Sequence, residues 1–113
     1  MNCSNCKNIH KVTNLTYTAN TSLVLTVSNS TNINSLDDFC FYLTQNVSNT
    51  VTGSPVQVYI NINGVNYQLF NKYHLPVFSN NLYCRKLYKA WYVNDGTNGW
   101  IELKDLPKCK ANA

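Results

Sequence analysis

Residues 56–70 read VQVYININGVNYQLF, and this stretch decides the fold. Val56, Val58, Ile60 and Ile62 alternate with Gln57, Tyr59, Asn61 and Asn63, a period of two that puts apolar and polar side chains on opposite faces of a strand. Beyond Gly64 the alternation resumes, with Val65, Tyr67 and Leu69 against Asn66, Gln68 and Phe70. Asn63-Gly64 sits between the two runs, and a type I′ turn needs positive φ at both central residues, which Asn and Gly tolerate best. The stretch is therefore a hairpin. Asn is a poor strand former, so its crowding onto one face implies that this face meets water or a polar partner.

The same period recurs on both sides of the hairpin. Residues 22–28 place Leu23, Leu25 and Val27 on one face, and residues 12–17 alternate more weakly; the two suggest a hairpin turning near Ala19-Asn20-Thr21. Polar residues 28–38 lead into Phe39-Cys40-Phe41-Tyr42-Leu43, whose aromatics suit a half-buried strand, and residues 44–55 form a loop. On the C-terminal side, residues 72–81 are a connection with a short strand around Val77-Phe78. Residues 86–93 form a strand, residues 94–99 a glycine-bearing turn and residues 100–103 the return. Helical periodicity is nearly absent, with at most a helical turn near residues 35–38 or 79–83. About seven short strands predict an all-β fold, a compact antiparallel sandwich or small barrel. Its expected limits are residues 12–106, between a flexible N-terminal arm, 1–11, and a C-terminal tail, 107–113.

Composition narrows the function. The chain has 113 residues, the size of one domain. Asn (19), Thr (10) and Ser (8) make up about a third of it, while charged residues are only 12%. With 44% hydrophobic residues and eight Tyr, this is the composition of a folded chain and not of a disordered one. No apolar run approaches the ~18 residues that span a bilayer, so no membrane role is expected. Residues 1–11 lack the apolar segment of a secretory signal, so export by that route is not expected either. Five Asn-x-Ser/Thr sequons, at Asn2, Asn14, Asn20, Asn29 and Asn46, then reflect composition alone. The net charge of +4 rests on cations concentrated in the C-terminal third, which read as a solvated face; specific nucleic-acid binding would want them more densely clustered.

Catalysis is not expected. The carboxylates of Asp37, Asp38, Asp95, Glu102 and Asp105 are scattered, and neighbours such as Asp37 and Asp38 in a strand point to opposite faces. His10 and His74 are isolated, although His10 lies four residues after Cys6. The five cysteines are the ambiguous constellation. Cys3 and Cys6 form a C-x-x-C, and with Cys84 and Cys109 they would make a four-thiolate site for structural Zn2+, but 24 residues separate the last two where a ribbon-type site has a second C-x-x-C. Disulfides joining Cys3 or Cys6 to Cys84 or Cys109, or five free thiols, are the alternatives. Cys40 among aromatics reads as a small buried hydrophobe.

From Pro55 to Pro107 the residues resemble a module of virion structural proteins of tailed bacteriophages, found in tail-fibre-type and small head-associated chains. The resemblance is carried by Ile62-Asn63-Gly64, Leu69-Phe70-Asn71-Lys72, Pro76-Val77, Tyr88, Tyr92, Asp95-Gly96-Thr97 and Trp100-Ile101-Glu102-Leu103. His74 and Leu75 stand where that pattern has a glycine, and no shaft or coiled-coil segment accompanies it. The resemblance implies a component of the virion, assembled in the bacterial host cytoplasm. The small size favours a capsid decoration or auxiliary subunit that binds capsid or other virion proteins, as a homo-oligomer and specifically a trimer. Two alternatives stand beside it. One is a receptor- or carbohydrate-binding module of a tail appendage, using Tyr59, Tyr67, Tyr92 and Trp100. The other is a zinc-stabilised regulatory or nucleic-acid-associated domain on Cys3, Cys6, Cys84 and Cys109.

Overall fold

A computed structural model describes residues 9–27, 35 and 37–104. Seven strands close into a barrel: β1 (Ile9–Thr18), β2 (Ser22–Val27), β3 (Asp38–Leu43), β4 (Gln57–Ile62), β5 (Val65–Phe70), β6 (Tyr88–Asn94) and β7 (Gly99–Leu103). Around the ring the order is β1-β2-β4-β5-β7-β6-β3. The all-β expectation of about seven strands holds, and of the two expected forms the barrel is the one observed. The pairing is mixed, not wholly antiparallel as expected: β1/β3, β2/β4 and β5/β7 are parallel, and the other four pairs antiparallel. The reason is geometric. Strand direction must return to itself on going once around a ring, so the number of antiparallel pairings is even, and seven pairings cannot all be antiparallel.

Strand β1 explains its own weak alternation. His10 and Val12 face inward in its first part, Leu15 and Tyr17 in its second, because a register shift between Val12 and Asn14 inserts an extra residue. Such a bulge bends the strand and exchanges its faces. The first part pairs with β3 over Ile9 to Val12, and the second follows β2. Residues 9–11 thus belong to the barrel and not to the arm, which sequence alternation extended to residue 11.

The hairpin of residues 56–70 forms as expected, with Tyr59 opposite Gln68 and Asn61 opposite Asn66. Asn63 and Gly64 take φ of 56° and 86°. On the outer face the Asn61 amide donates to Asn66 Oδ1 at 2.7 Å, and Gly64 N donates to Asn61 Oδ1 at 3.2 Å. Beyond the far end of this hairpin Val77 bridges the two strands: Val58 N donates to its carbonyl at 3.1 Å and its own N–H donates to Leu69 O at 3.0 Å. The expected strand at Val77-Phe78 is therefore a pair of isolated bridges. The turn between β6 and β7 is organised by Asp95, whose carboxylate accepts from the backbone N–H groups of Asn98 and Thr97. These bonds hold its pKa below the ordinary value.

The interior is full. Leu23, Leu25, Phe39, Phe41, Leu43, Val58, Ile60, Leu69, Ala90 and Ile101 are all wholly buried in one cluster. A barrel of so few strands has room only for its own side chains. Val47, on a 3₁₀ turn (Val47–Asn49), and Leu82, following a second one (Ser79–Asn81), join the cluster. Ser79 is buried with both its groups satisfied: Val56 N donates to Ser79 Oγ, and Ser79 N to Val56 O.

Leu25→Ala should cost about 2–5 kcal/mol, a large fraction of the ~5–15 kcal/mol that stabilises such a domain. Gly64→Val, which forces a β-branched residue into a left-handed turn position, should cost about 1–2 kcal/mol. Urea unfolding of both variants checks this, and an unchanged midpoint for Leu25→Ala is incompatible with a packed interior.

Candidate binding surfaces

The four residues Tyr59, Tyr67, Tyr92 and Trp100 do not form one site. Alternation sends Tyr67 and Tyr92 inward and Tyr59 and Trp100 outward. Tyr67 and Tyr92 meet edge to face at 5.2 Å between ring centroids, with Tyr92 buried. The Tyr92 hydroxyl donates to Tyr67 Oη at 3.4 Å and accepts from the Asn94 amide at 2.8 Å. Gly99 serves this pair by lacking a side chain, since a Cβ there would lie 2.8 Å from the Tyr67 ring. The hydrogen bond that the protonated Tyr67 hydroxyl shares with Tyr92, then burial, then proximity to the Tyr92 phenol push the Tyr67 pKa up to about 12. The pair is a closed hydrogen-bonded contact of the barrel wall.

The outward pair belongs to a broader wall. Across β4, β5 and β7, Tyr59 lies opposite Gln68 and Gln68 opposite Trp100; one step along, Phe70 lies opposite Glu102. The Gln68 amide donates to Gln57 Oε1 at 3.0 Å. His74 packs against this wall, its ring stacked on Phe70 at 4.3 Å and edge-on to Trp100 at 5.2 Å. Glu102 Oε1 accepts from Trp100 Nε1 at 3.2 Å and lies 3.3 Å from His74 Nδ1. His74 has φ of 62°, the left-handed conformation at a place where the resembled pattern has glycine. The chain turns there without one because Asn71 Oδ1 accepts from Tyr73 N and Leu75 N, and because stacking on Phe70 compensates the ~1–2 kcal/mol of strain. Across the β6/β7 pair, Glu102 faces Trp91, over whose ring Lys104 sits at 3.8 Å while pairing with Asp38. The alternation showed which strands carry these aromatics; that the 72–81 connection folds back onto them was not readable from it.

Of the thiol set, Cys3, Cys6 and Cys109 lie outside the described residues. Cys84 is a free, partly exposed thiol donating to Leu43 O at 3.6 Å, which sets aside the alternative of a disulfide at Cys84. Cys40 is correctly read as buried, but it is disulfide-bonded. Its alternation with Phe39 and Phe41 places it on the outer face of β3. Among the described residues no group of three His, Cys, Asp or Glu is placed to hold a metal ion. His10, isolated in sequence, is buried and stacked on Phe39 at 4.4 Å. No described helix is long and apolar enough to cross a membrane.

Alkaline titration checks the Tyr67–Tyr92 pair. A phenol whose folded-state pKa lies above its unfolded value supports the fold fully below pH ~10, and that support is lost as the pH rises through the folded value. Phenolate absorbance should show one late ionisation near pH 12 in the wild type, absent in Tyr67→Phe; early ionisation of all the tyrosines in the wild type would contradict the contact.

Compared with known proteins, the chain matches no family model, no curated protein and no solved structure.

Proposed function

We propose that the chain is a bacteriophage virion structural protein, a capsid decoration or auxiliary subunit that works by binding protein surfaces, assembled as a homo-oligomer and specifically a trimer. The observation that carries this reading is the division of labour between the two sides of the barrel. The interior is spent on the core, and large apolar side chains remain on the outside: Tyr73 is 70% exposed, Tyr83 63%, Leu75 57% and Trp91 41%. On a chain with 12% charged residues, such exposed aromatics suit contact with another protein, since interface centres are depleted in charge and enriched in Tyr and Trp. The resemblance from Pro55 to Pro107 names the kind of particle. Its Asn63-Gly64 and Asp95-Gly96 elements lie at hairpin turns, where backbone geometry selects their residues.

A second reading has its own support. The wall of Tyr59, Gln68, Phe70, His74, Trp100 and Glu102 interleaves aromatic rings with amides and a carboxylate, as a carbohydrate- or receptor-binding module of a tail appendage requires: flat faces for stacking and side chains for hydroxyls.

Immunogold labelling of purified particles tests the first reading. Gold on heads is the expected result; unlabelled particles, with the protein confined to the lysate, overturn it. Saturable binding to defined glycans that Trp100→Ala and Tyr59→Ala abolish would transfer the assignment to the second reading.

A further inference from the structure

One end of the barrel carries a groove of which the readings above use only Tyr83, on its edge. It lies between the 44–55 loop with its 3₁₀ turn and the connection following Ser79–Asn81. A depression of about 340 Å3 is lined by Val47, Val51, Pro55, Leu82 and Tyr83, with Asn46, Ser48 and Asn80 among its polar groups. A second depression of about 520 Å3, mainly polar, is lined by Thr44, Gln45, Asn49 and Arg85. The two adjoin, for Asn46 and Cys84 line both.

The walls are tied to the barrel rim and so are preformed. Arg85 N donates to Leu43 O at 3.2 Å and Tyr83 N to Tyr88 Oη at 2.6 Å, while Val51 N closes the loop's own turn on Val47 O at 2.8 Å. Arg85 is held at φ 65°, a conformation unusual for a side chain of its size. Neither depression is lined by a carboxylate, so the guanidinium sets the sign of the charge that the groove accepts. An apolar hollow, flanking amides and hydroxyls, and one cation at the polar end together describe a ligand with a side chain, a backbone and a terminal anion.

We propose that this groove captures the C-terminal residue of a partner polypeptide, with an apolar side chain in the Val47–Val51–Leu82 hollow and the chain-terminal carboxylate on Arg85. Capture of a terminal carboxylate is a recurrent mode of peptide recognition, and Arg matches a carboxylate with two parallel N–H donors. The polar groups on both walls distinguish a peptide from a free fatty acid, whose hydrocarbon would leave them unpaired. The inference does not rest on the chain being a virion component.

The test uses the whole protein with an N-acetylated tripeptide ending in leucine, supplied as the free carboxylate and as the carboxamide, with octanoate as a third probe. Backbone amide shifts report the location, and alkylation of Cys84, read by peptide mapping, reports coverage of the groove. The carboxylate peptide should shift Ser48, Val51 and Cys84 saturably and slow Cys84 alkylation. The carboxamide should bind at least about tenfold more weakly, the ordinary worth of a charge-assisted bond to Arg. Arg85→Asn, which tolerates the left-handed backbone, should bring the carboxylate peptide to the level of the carboxamide. Equal binding of carboxylate and carboxamide, shifts confined to another surface, or octanoate binding as tightly as the peptide would each overturn the proposal. The carboxylate–carboxamide comparison needs only the wild-type chain, so a folding defect in Arg85→Asn leaves the proposal decidable.

Discussion

The whole architecture depends on one strand serving two neighbours in two registers. A barrel closes only if its first and last strands in ring order meet, and here β1 makes that contact with β3 through four residues while its remainder pairs with β2. A straight strand of ten residues would keep one face inward and one direction of travel. The bulge between Val12 and Asn14 bends it, so that His10 and Val12 fill the interior beside β3, and Leu15 and Tyr17 fill it beside β2. Without that bend the exposed edges of β1 and β3 would remain open, which is the condition that invites edge-to-edge association.

Closure determines where function can sit. Once the ring is sealed, Phe39, Phe41 and the aliphatic residues of the other strands form one buried cluster inside it. The outer wall and the ends of the barrel are the surfaces left to solvent. Both offer organised chemistry. On the wall, Glu102 gathers the Trp100 N–H and His74 at one carboxylate oxygen, fixing two rings that would otherwise rotate. At the end, the loops that cap the core are held by hydrogen bonds to the rim, and their outer surfaces form the groove beside Arg85.

The titratable and nucleophilic residues are mostly absorbed by structure. Asp95 organises a turn, Asp38 pairs with Lys104 beneath Trp91, Tyr92 and Tyr67 satisfy each other, and His10 stacks in the wall. Each of these roles commits the group to a neighbour within the fold. The cysteines divide in a similar way, Cys40 being bonded on the outer face of β3 and Cys84 remaining a thiol at the lip of the groove.

Local rules determined much of this protein. Period-two alternation located the strands and which residues face inward, and Asn63-Gly64 located the principal turn, because side-chain direction in a strand and positive φ in a two-residue turn are properties of the nearest few residues. Tertiary structure alone decided the rest. Ring closure, the three parallel pairings, the contact of Tyr67 with Tyr92, the return of His74 onto Phe70 and Trp100, and the thiol states of Cys40 and Cys84 all depend on which segments distant in the chain become neighbours. No periodicity carries that information, since it is set by the bend in β1 and by the global competition to bury apolar surface in a single closed section.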